Sequence, residues 1–258
     1  MKAHLFQLDL VWEDREANFR LVDQAADAAG IEPGDLIVTP ELFDSGFSLN
    51  VSNTADGDGA TLGFLTDLAL RLGVTVHGSR TVAGANGRAT NRATIVGSSG
   101  ELLCEYAKIH PFTFGKEPEA FDGGDSIETY TWNGLSVCPA VCYDLRFPEL
   151  FRLGLAKGAE VFALGANWPD ARQHHWRALA IARAIENQSF VLAVNRTGPD
   201  PHLNYAGGTI AVDPMGDVLS ELGDESGVLS VEIDADAVRS WRETFPAWRD
   251  MKLLPTES

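Results

Sequence analysis

Leu135-Ser136-Val137-Cys138-Pro139-Ala140-Val141-Cys142-Tyr143-Asp144-Leu145-Arg146-Phe147-Pro148-Glu149 is the stretch on which the reading of this chain turns. Its first eight residues carry no charge and read as a buried strand over 135–142. A helix over about 147–157 follows and stops at Gly158. A strand that runs into a thiol, with a helix starting a few residues later, presents the sulfur over backbone N–H groups. Such groups lower a thiol pKa and hold an oxyanion. The alternative for Cys142 is a buried structural cysteine, which is how Cys104 and Cys138 are read. Cys138 and Cys142, four apart on a strand, stand about 13 Å apart, too far for a disulfide. Their spacing also differs from a zinc-binding Cys-x-x-Cys pair.

Outward from this stretch, short apolar runs alternate with helical patterns. Residues 2–9 read as a strand. Residues 15–29 read as a helix with Phe19, Val22, Ala26 and Ala29 on one face and Gly30 as its stop. Leu36-Ile37-Val38 is a short buried strand, and 60–72 is a helix closed by Gly73. Segments 74–83, 89–97 and 101–107 read as a meander with Gly-rich turns. Further on come a strand at Val161-Phe162-Ala163-Leu164, a long helix over 171–187, and strands over 190–195, 206–213 and 227–233. Parallel-type alternation is thus mixed with hairpins, and no linker divides the chain. The expectation is one α/β domain over residues 1–258, with two packed sheets covered by helices.

Composition narrows the function. Twenty basic against 37 acidic residues give a net charge of -17, which argues against general binding to nucleic acid or to an anionic membrane surface. An anionic substrate therefore needs local positive charge inside a pocket. The first residues lack the apolar core of a signal peptide, and no stretch approaches 18 uncharged apolar residues. Three cysteines make no disulfide framework and fit a reducing cytoplasm. His174 and His175 are adjacent, so on a helix they diverge and form no zinc pair. No phosphate-binding loop is visible, and no metal or cofactor is expected.

Two other loops carry chemistry. In Thr39-Pro40-Glu41-Leu42-Phe43 a carboxylate directly follows a buried strand, where α/β folds commonly place ligands. Desolvation there is expected to raise its pKa toward the range of a general base, the alternative being a helix cap or a solvated turn acid. In Tyr106-Ala107-Lys108-Ile109-His110-Pro111-Phe112 a lysine ends a strand among apolar neighbours. It is placed to stabilise an oxyanion or lower a thiol pKa, the alternative being a surface lysine.

Together, Pro-Glu-Leu-Phe, Tyr-x-Lys-Ile-His and Val-Cys-Tyr-Asp-Leu-Arg-Phe-Pro-Glu resemble, in order and spacing, the motifs of the nitrilase superfamily of carbon–nitrogen hydrolases. Gly165-Ala166-Asn167-Trp168-Pro169 and Arg183-Ala184-Ile185-Glu186-Asn187-Gln188 look like later family segments. Asn195-Arg196-Thr197-Gly198 and Phe245-Pro246-Ala247-Trp248-Arg249-Asp250 look most like the ω-amidase branch, which hydrolyses the side-chain amide of 2-oxoglutaramate or 2-oxosuccinamate.

The resemblance implies a four-layer αββα sandwich of two mixed sheets, commonly paired into dimers, and a catalytic triad of Glu41, Lys108 and Cys142. It implies a second glutamate beside the lysine. Glu117 matches it best, since Phe121 and Gly124 follow at the family spacing, with Glu119 as the nearby competitor. The backbone N–H of Tyr143 falls at the oxyanion donor, while Phe43, Arg146, Asn167 and Trp168 fall where a pocket would be shaped. Arg146 suits a substrate carboxylate, a bidentate fork matching that anion, or else a salt bridge with Asp144 or Glu149. A deaminated-glutathione amidase, an N-carbamoyl hydrolase, a true nitrilase and a catalytically silent scaffold share enough of these features to stand as alternatives.

Overall fold

The computed structural model describes residues 1–84 and 87–253. The first half of the chain supplies strands β1 (Lys2–Gln7), β2 (Leu36–Val38), β3 (Thr75–Ala83), β4 (Ala89–Val96) and β5 (Leu102–Ala107), with helices α1 (Arg15–Ala28), α2 (Val51–Thr54) and α3 (Ala60–Leu72) between them. The second half supplies β6 (Tyr130–Trp132), β7 (Leu135–Val141), α4 (Pro148–Ala156), β8 (Val161–Ala166), α5 (Gln173–Asn187) and β9 (Phe190–Asn195). A hairpin of β10 (Thr197–Pro199) and β11 (Asn204–Ala206), strands β12 (Ile210–Val212), β13 (Val218–Glu221) and β14 (Gly227–Glu232), and helix α6 (Ala235–Thr244) complete it.

The strands form two six-stranded mixed sheets, ordered β14-β1-β2-β3-β4-β5 and β13-β12-β9-β8-β7-β6. Strand β1 shows why they stack. Successive side chains on a strand point to opposite faces. Ala3 and Leu5 accordingly enter the core between the sheets, while Phe6 joins Phe19, Val22, Leu65 and Leu68 under α1 and α3. In β2, Leu36 and Val38 face the other sheet and Ile37 faces the helices. Each such side chain, fully buried, contributes about 1.5–3 kcal/mol. Strand β1 lies against β9, β2 and β3 against β8, and β4 against β7, while α4 and α5 cover the second sheet. The result is the expected αββα layering.

Local chemistry sets the boundaries. The Asp14 carboxylate accepts the Ala17 N–H at the start of α1, and α3 ends on Gly73 at φ 68. Ala29 lies one residue past the end of α1 and is only half-buried. The single strand expected over 206–213 is two strands, because Gly207 and Gly208 adopt φ of 61 and 73 and break the ladder. A Cβ on Gly207 would meet the Gln7 amide nitrogen at 2.2 Å, so the chain there must pass close to β1. Strands β6, β10 and β13 and helix α6 were not anticipated. The three strands are too short for a period of two to mark them, whereas α6, ten residues long and burying only Val238, carries an amphipathic pattern that the sequence reading passed over.

Topology gathers the three chemical loops. Strands β1, β2 and β3 run parallel, as do β7, β8 and β9. Strand β5 returns to the direction of β3 through antiparallel β4. The residues after the carboxyl ends of β2, β5, β7 and β8 therefore meet at one end of the two sheets.

Candidate active site

Cys142 lies just off the end of β7 rather than on it, with φ 45. This left-handed conformation costs a non-glycine residue on the order of 1–3 kcal/mol and persists only where the surroundings enforce it. Asp144 does the enforcing. One of its carboxylate oxygens accepts the Val141 N–H at 3.0 Å and the Tyr106 hydroxyl at 2.7 Å. The other accepts the His110 N–H at 3.0 Å and faces His110 Nδ1 at 2.8 Å. The fully buried Asp144 thus ties the Cys142 elbow to the Lys108 loop.

Glu41 is fully buried. Its Oε1 accepts from Lys108 Nζ at 2.7 Å and Asn91 Nδ2 at 2.8 Å. Its Oε2 accepts from the Asn167 backbone N–H at 3.0 Å and side-chain Nδ2 at 3.2 Å. Gly165 permits this approach, since a Cβ there would stand 2.4 Å from the Thr39 carbonyl oxygen and 2.7 Å from the Glu41 nitrogen. Lys108 is also buried and donates to both oxygens of Glu117, at 2.8 and 3.1 Å. Asn91 bridges Glu41 to Glu117, and the Phe112 N–H donates to Glu117 at 2.6 Å. Glu119 instead lies at the surface, 3.9 Å from Lys116. Cys142 is buried, and its Sγ lies 3.9 Å from the Asn167 carbonyl oxygen.

The ionisation pattern differs in two respects from the sequence expectation. Burial would raise the Glu41 carboxyl, but the Lys108 ammonium and the Asn167 donors outweigh it and hold it below the usual range. Burial, with the Glu41 carboxylate beside it, pushes the Cys142 thiol well above its ordinary value, and the nearby Lys108 does not reverse this. Lys108 stays charged because Glu117 and Glu41 overcome its desolvation. Glu117 is raised by burial and by repulsion from Glu41. The resting arrangement is a neutral thiol beside an ionised carboxylate, a nucleophile with its base adjacent.

A cavity of about 580 Å³ opens over these groups. Its walls include Phe47, Phe112 and Trp12, the Arg172 side chain, and Asp200 and Tyr205 of the β10–β11 hairpin. The carbon–nitrogen hydrolase family pattern matches residues 2–243. The chain belongs to the carbon–nitrogen hydrolase family. It is 34% identical over 257 residues to a Staphylococcus aureus protein named hydrolase in agr operon, with 98% of each chain covered. It is 36% identical over 220 residues to a 2-oxoglutaramate amidase of Bacillus subtilis, covering 84% of this chain and 85% of the relative. Among solved structures, a CN-hydrolase superfamily protein of Xanthomonas campestris with an arsenic adduct in its active site superposes with a TM-score of 0.92. Identity is 33%, covering 99% of this chain and 98% of that one. The chain is an amidase of this family. No described helix is long and apolar enough to cross a membrane.

Of the four residues expected to shape a pocket, Asn167, Arg146 and Trp168 line a narrow cleft at Cys142, and Phe43 does not. Phe43 turns away from the cavity into the core beneath α1 and α3, its ring 6.1 Å from those of Phe19 and Phe64; Phe47 is the aromatic from that loop at the cavity. Arg146 meets neither Asp144, whose oxygens are taken, nor Glu149. Its guanidinium lies 4.6 Å over the Trp168 ring, with Nη2 3.3 Å from His175 Nδ1. Trp168 is buried, donating its indole N–H to the Arg172 carbonyl oxygen at 2.9 Å. Asn167 clamps Glu41 as well as lining the cavity. Tyr143 follows the elbow, its ring 4.9 Å from that of Phe112. Asn91, Asp144, Phe47 and Arg172 were not singled out in the sequence. Only Asn91 carried a local signal, as the polar member of the inward-facing alternation Ala89, Asn91, Ala93, Ile95.

Proposed function

We propose that the protein hydrolyses the terminal amide of a small 2-oxo acid amide, 2-oxoglutaramate or 2-oxosuccinamate, through a thioester on Cys142. The observation that carries this reading is the buried contact of Glu41 with Lys108 beside the Cys142 thiol on the floor of a cavity large enough for a five-carbon acid. The Bacillus subtilis relative named 2-oxoglutaramate amidase supports the substrate class.

In this mechanism ionised Glu41 takes the Cys142 proton as sulfur attacks the amide carbon. Lys108 and the Tyr143 N–H stabilise the oxyanion. The C–N bond breaks as Glu41 returns the proton to nitrogen, releasing ammonia and leaving the thioester. Glu41 then deprotonates water, which attacks the thioester carbon; the acid leaves and sulfur regains a proton. Because the resting thiol is held neutral, proton transfer to Glu41 accompanies attack, and splitting the hydrolysis in two is the gain of the covalent route. Glu117 holds Lys108 charged and in place. The reading extends to a cytoplasmic homodimer, for which light scattering should give twice 27.9 kDa.

The test is ammonia release from 2-oxoglutaramate, set against deaminated glutathione, carbamoyl amino acids and nitriles. Cys142→Ala should abolish it, and intact-mass measurement of the wild type should show an acyl adduct lost in that variant. Full turnover by Cys142→Ala would end the mechanism. Preference for a carbamoyl amino acid would end the substrate assignment.

A further inference from the structure

In a chain of net charge -17, two half-buried guanidiniums stand beside the thiol with no carboxylate within ion-pair distance among the described residues. Arg15, Arg80, Arg92, Arg177 and Arg239, by contrast, all pair with acids. The two are Arg146 and Arg172. A narrow cleft at Cys142, with Asn167 and Trp168 in its walls, is lined by both. Arg172 also lines the main cavity, which Arg146 does not reach. The remaining cation of that cavity, Lys108, is already engaged by Glu41 and Glu117.

The Arg172 position is built. It closes the short 3-10 turn Asp170–Arg172 ahead of α5. Its carbonyl oxygen is fixed by the Trp168 indole N–H, and its guanidinium lies 5.5 Å over the Phe112 ring. Besides Glu41, two carboxylates line the cavity, and both are solvated by the protein itself. Glu13 accepts from Ser48 and Asn53, and Asp200 from the His202 and Leu203 N–H groups and the Tyr205 hydroxyl.

From this geometry, and resting on the proposed amidase reading, we infer that Arg172 is the specificity-determining residue, receiving the carboxylate at the far end of the acyl chain. Arg146, held on Trp168, supports it from the cleft wall. The planar fork of a guanidinium suits a carboxylate in two-point contact, which a lysine ammonium reproduces only as a point charge. The acidic groups elsewhere on the wall disfavour a second carboxylate. The substrate selected is therefore the monoamide of a dicarboxylic acid rather than a neutral amide or a dianion.

The experiment compares kcat/KM for 2-oxoglutaramate and for neutral valeramide in the wild type, Arg172→Gln and Arg172→Lys, with folding checked by circular dichroism. Loss of one charge-assisted contact should lower the anionic-to-neutral selectivity of Arg172→Gln by on the order of 10- to 100-fold, mostly through KM. Arg172→Lys should recover part of it. An unchanged selectivity ratio would overturn the inference. Binding of 2-oxovalerate, a monoanion with no amide to hydrolyse, followed by calorimetry, needs no turnover and separates this inference from the proposed reaction. Weaker binding to Arg172→Gln by tenfold or more upholds the Arg172 role even if amide turnover fails, and equal binding refutes it.

Discussion

Asp144→Asn tests the claim that one buried carboxylate holds two catalytic loops together. The replacement keeps the shape and removes an acceptor. Four donors or potential donors converge on Asp144: the Val141 and His110 N–H groups, the Tyr106 hydroxyl and the His110 ring. An asparagine oxygen can serve one side of this set. Its NH2 then faces the other, where the hydroxyl or the ring can turn to accept, but the backbone N–H cannot. One buried backbone donor is left opposed, at about 1.5–3 kcal/mol, and the surviving bonds lose their charge assistance, each by roughly 1 kcal/mol. The sum is about 3–5 kcal/mol, a large part of the stability of an ordinary domain. Urea unfolding at pH 7.5 measures it. The strained φ of Cys142 loses its restraint at the same time, so kcat should fall even in the folded fraction. If Asp144→Asn unfolds within 1 kcal/mol of wild type and retains its kcat, the network does not hold the elbow and the reasoning fails.

Other variants probe separate parts of the site. Glu117→Gln removes one of the two carboxylates that keep Lys108 protonated against burial; the alkaline limb of the kcat/KM profile should move to lower pH and kcat should fall about 10- to 100-fold, whereas an unmoved limb would show that Glu41 alone suffices. Gly165→Ala would force a Cβ against the Thr39 and Glu41 backbone, displacing Glu41 from the thiol, so activity should drop at least 100-fold because a shift near 1 Å has that effect; near-normal turnover would contradict the close approach. Asp44 is buried behind the Glu41 loop with its pKa raised to about 6 by burial, against a hydrogen bond from Thr61. Its folded value exceeds its unfolded one, so stability is fullest at low pH and falls as pH rises through about 6, by roughly 3 kcal/mol in all. Asp44→Asn should therefore raise the melting temperature at pH 7.5 and not at pH 4, and equal shifts at both would refute the assignment.

The sequence alone determined the alternation of strands and helices, because burial on one face leaves a period of two or 3.6 in the chain. It also marked Glu41, Lys108 and Cys142, because each stands at or just past the end of a strand within a family-like motif. The hydrogen-bonding geometry around those residues was not legible. Asn91 and Asp144 look like ordinary polar residues until strands distant in sequence close around them, and Arg172 lies in a turn with no periodicity to read. Phe43 and Arg146 were nominated by proximity to a motif, but which way each points depends on the packing of α1, α3 and Trp168. The ionisation states were decided by the tertiary structure most completely. Burial by itself would raise Glu41, and only the arrival of Lys108 from β5 and Asn167 from β8 reverses it, since a charge is set by every group the fold brings within a few ångströms.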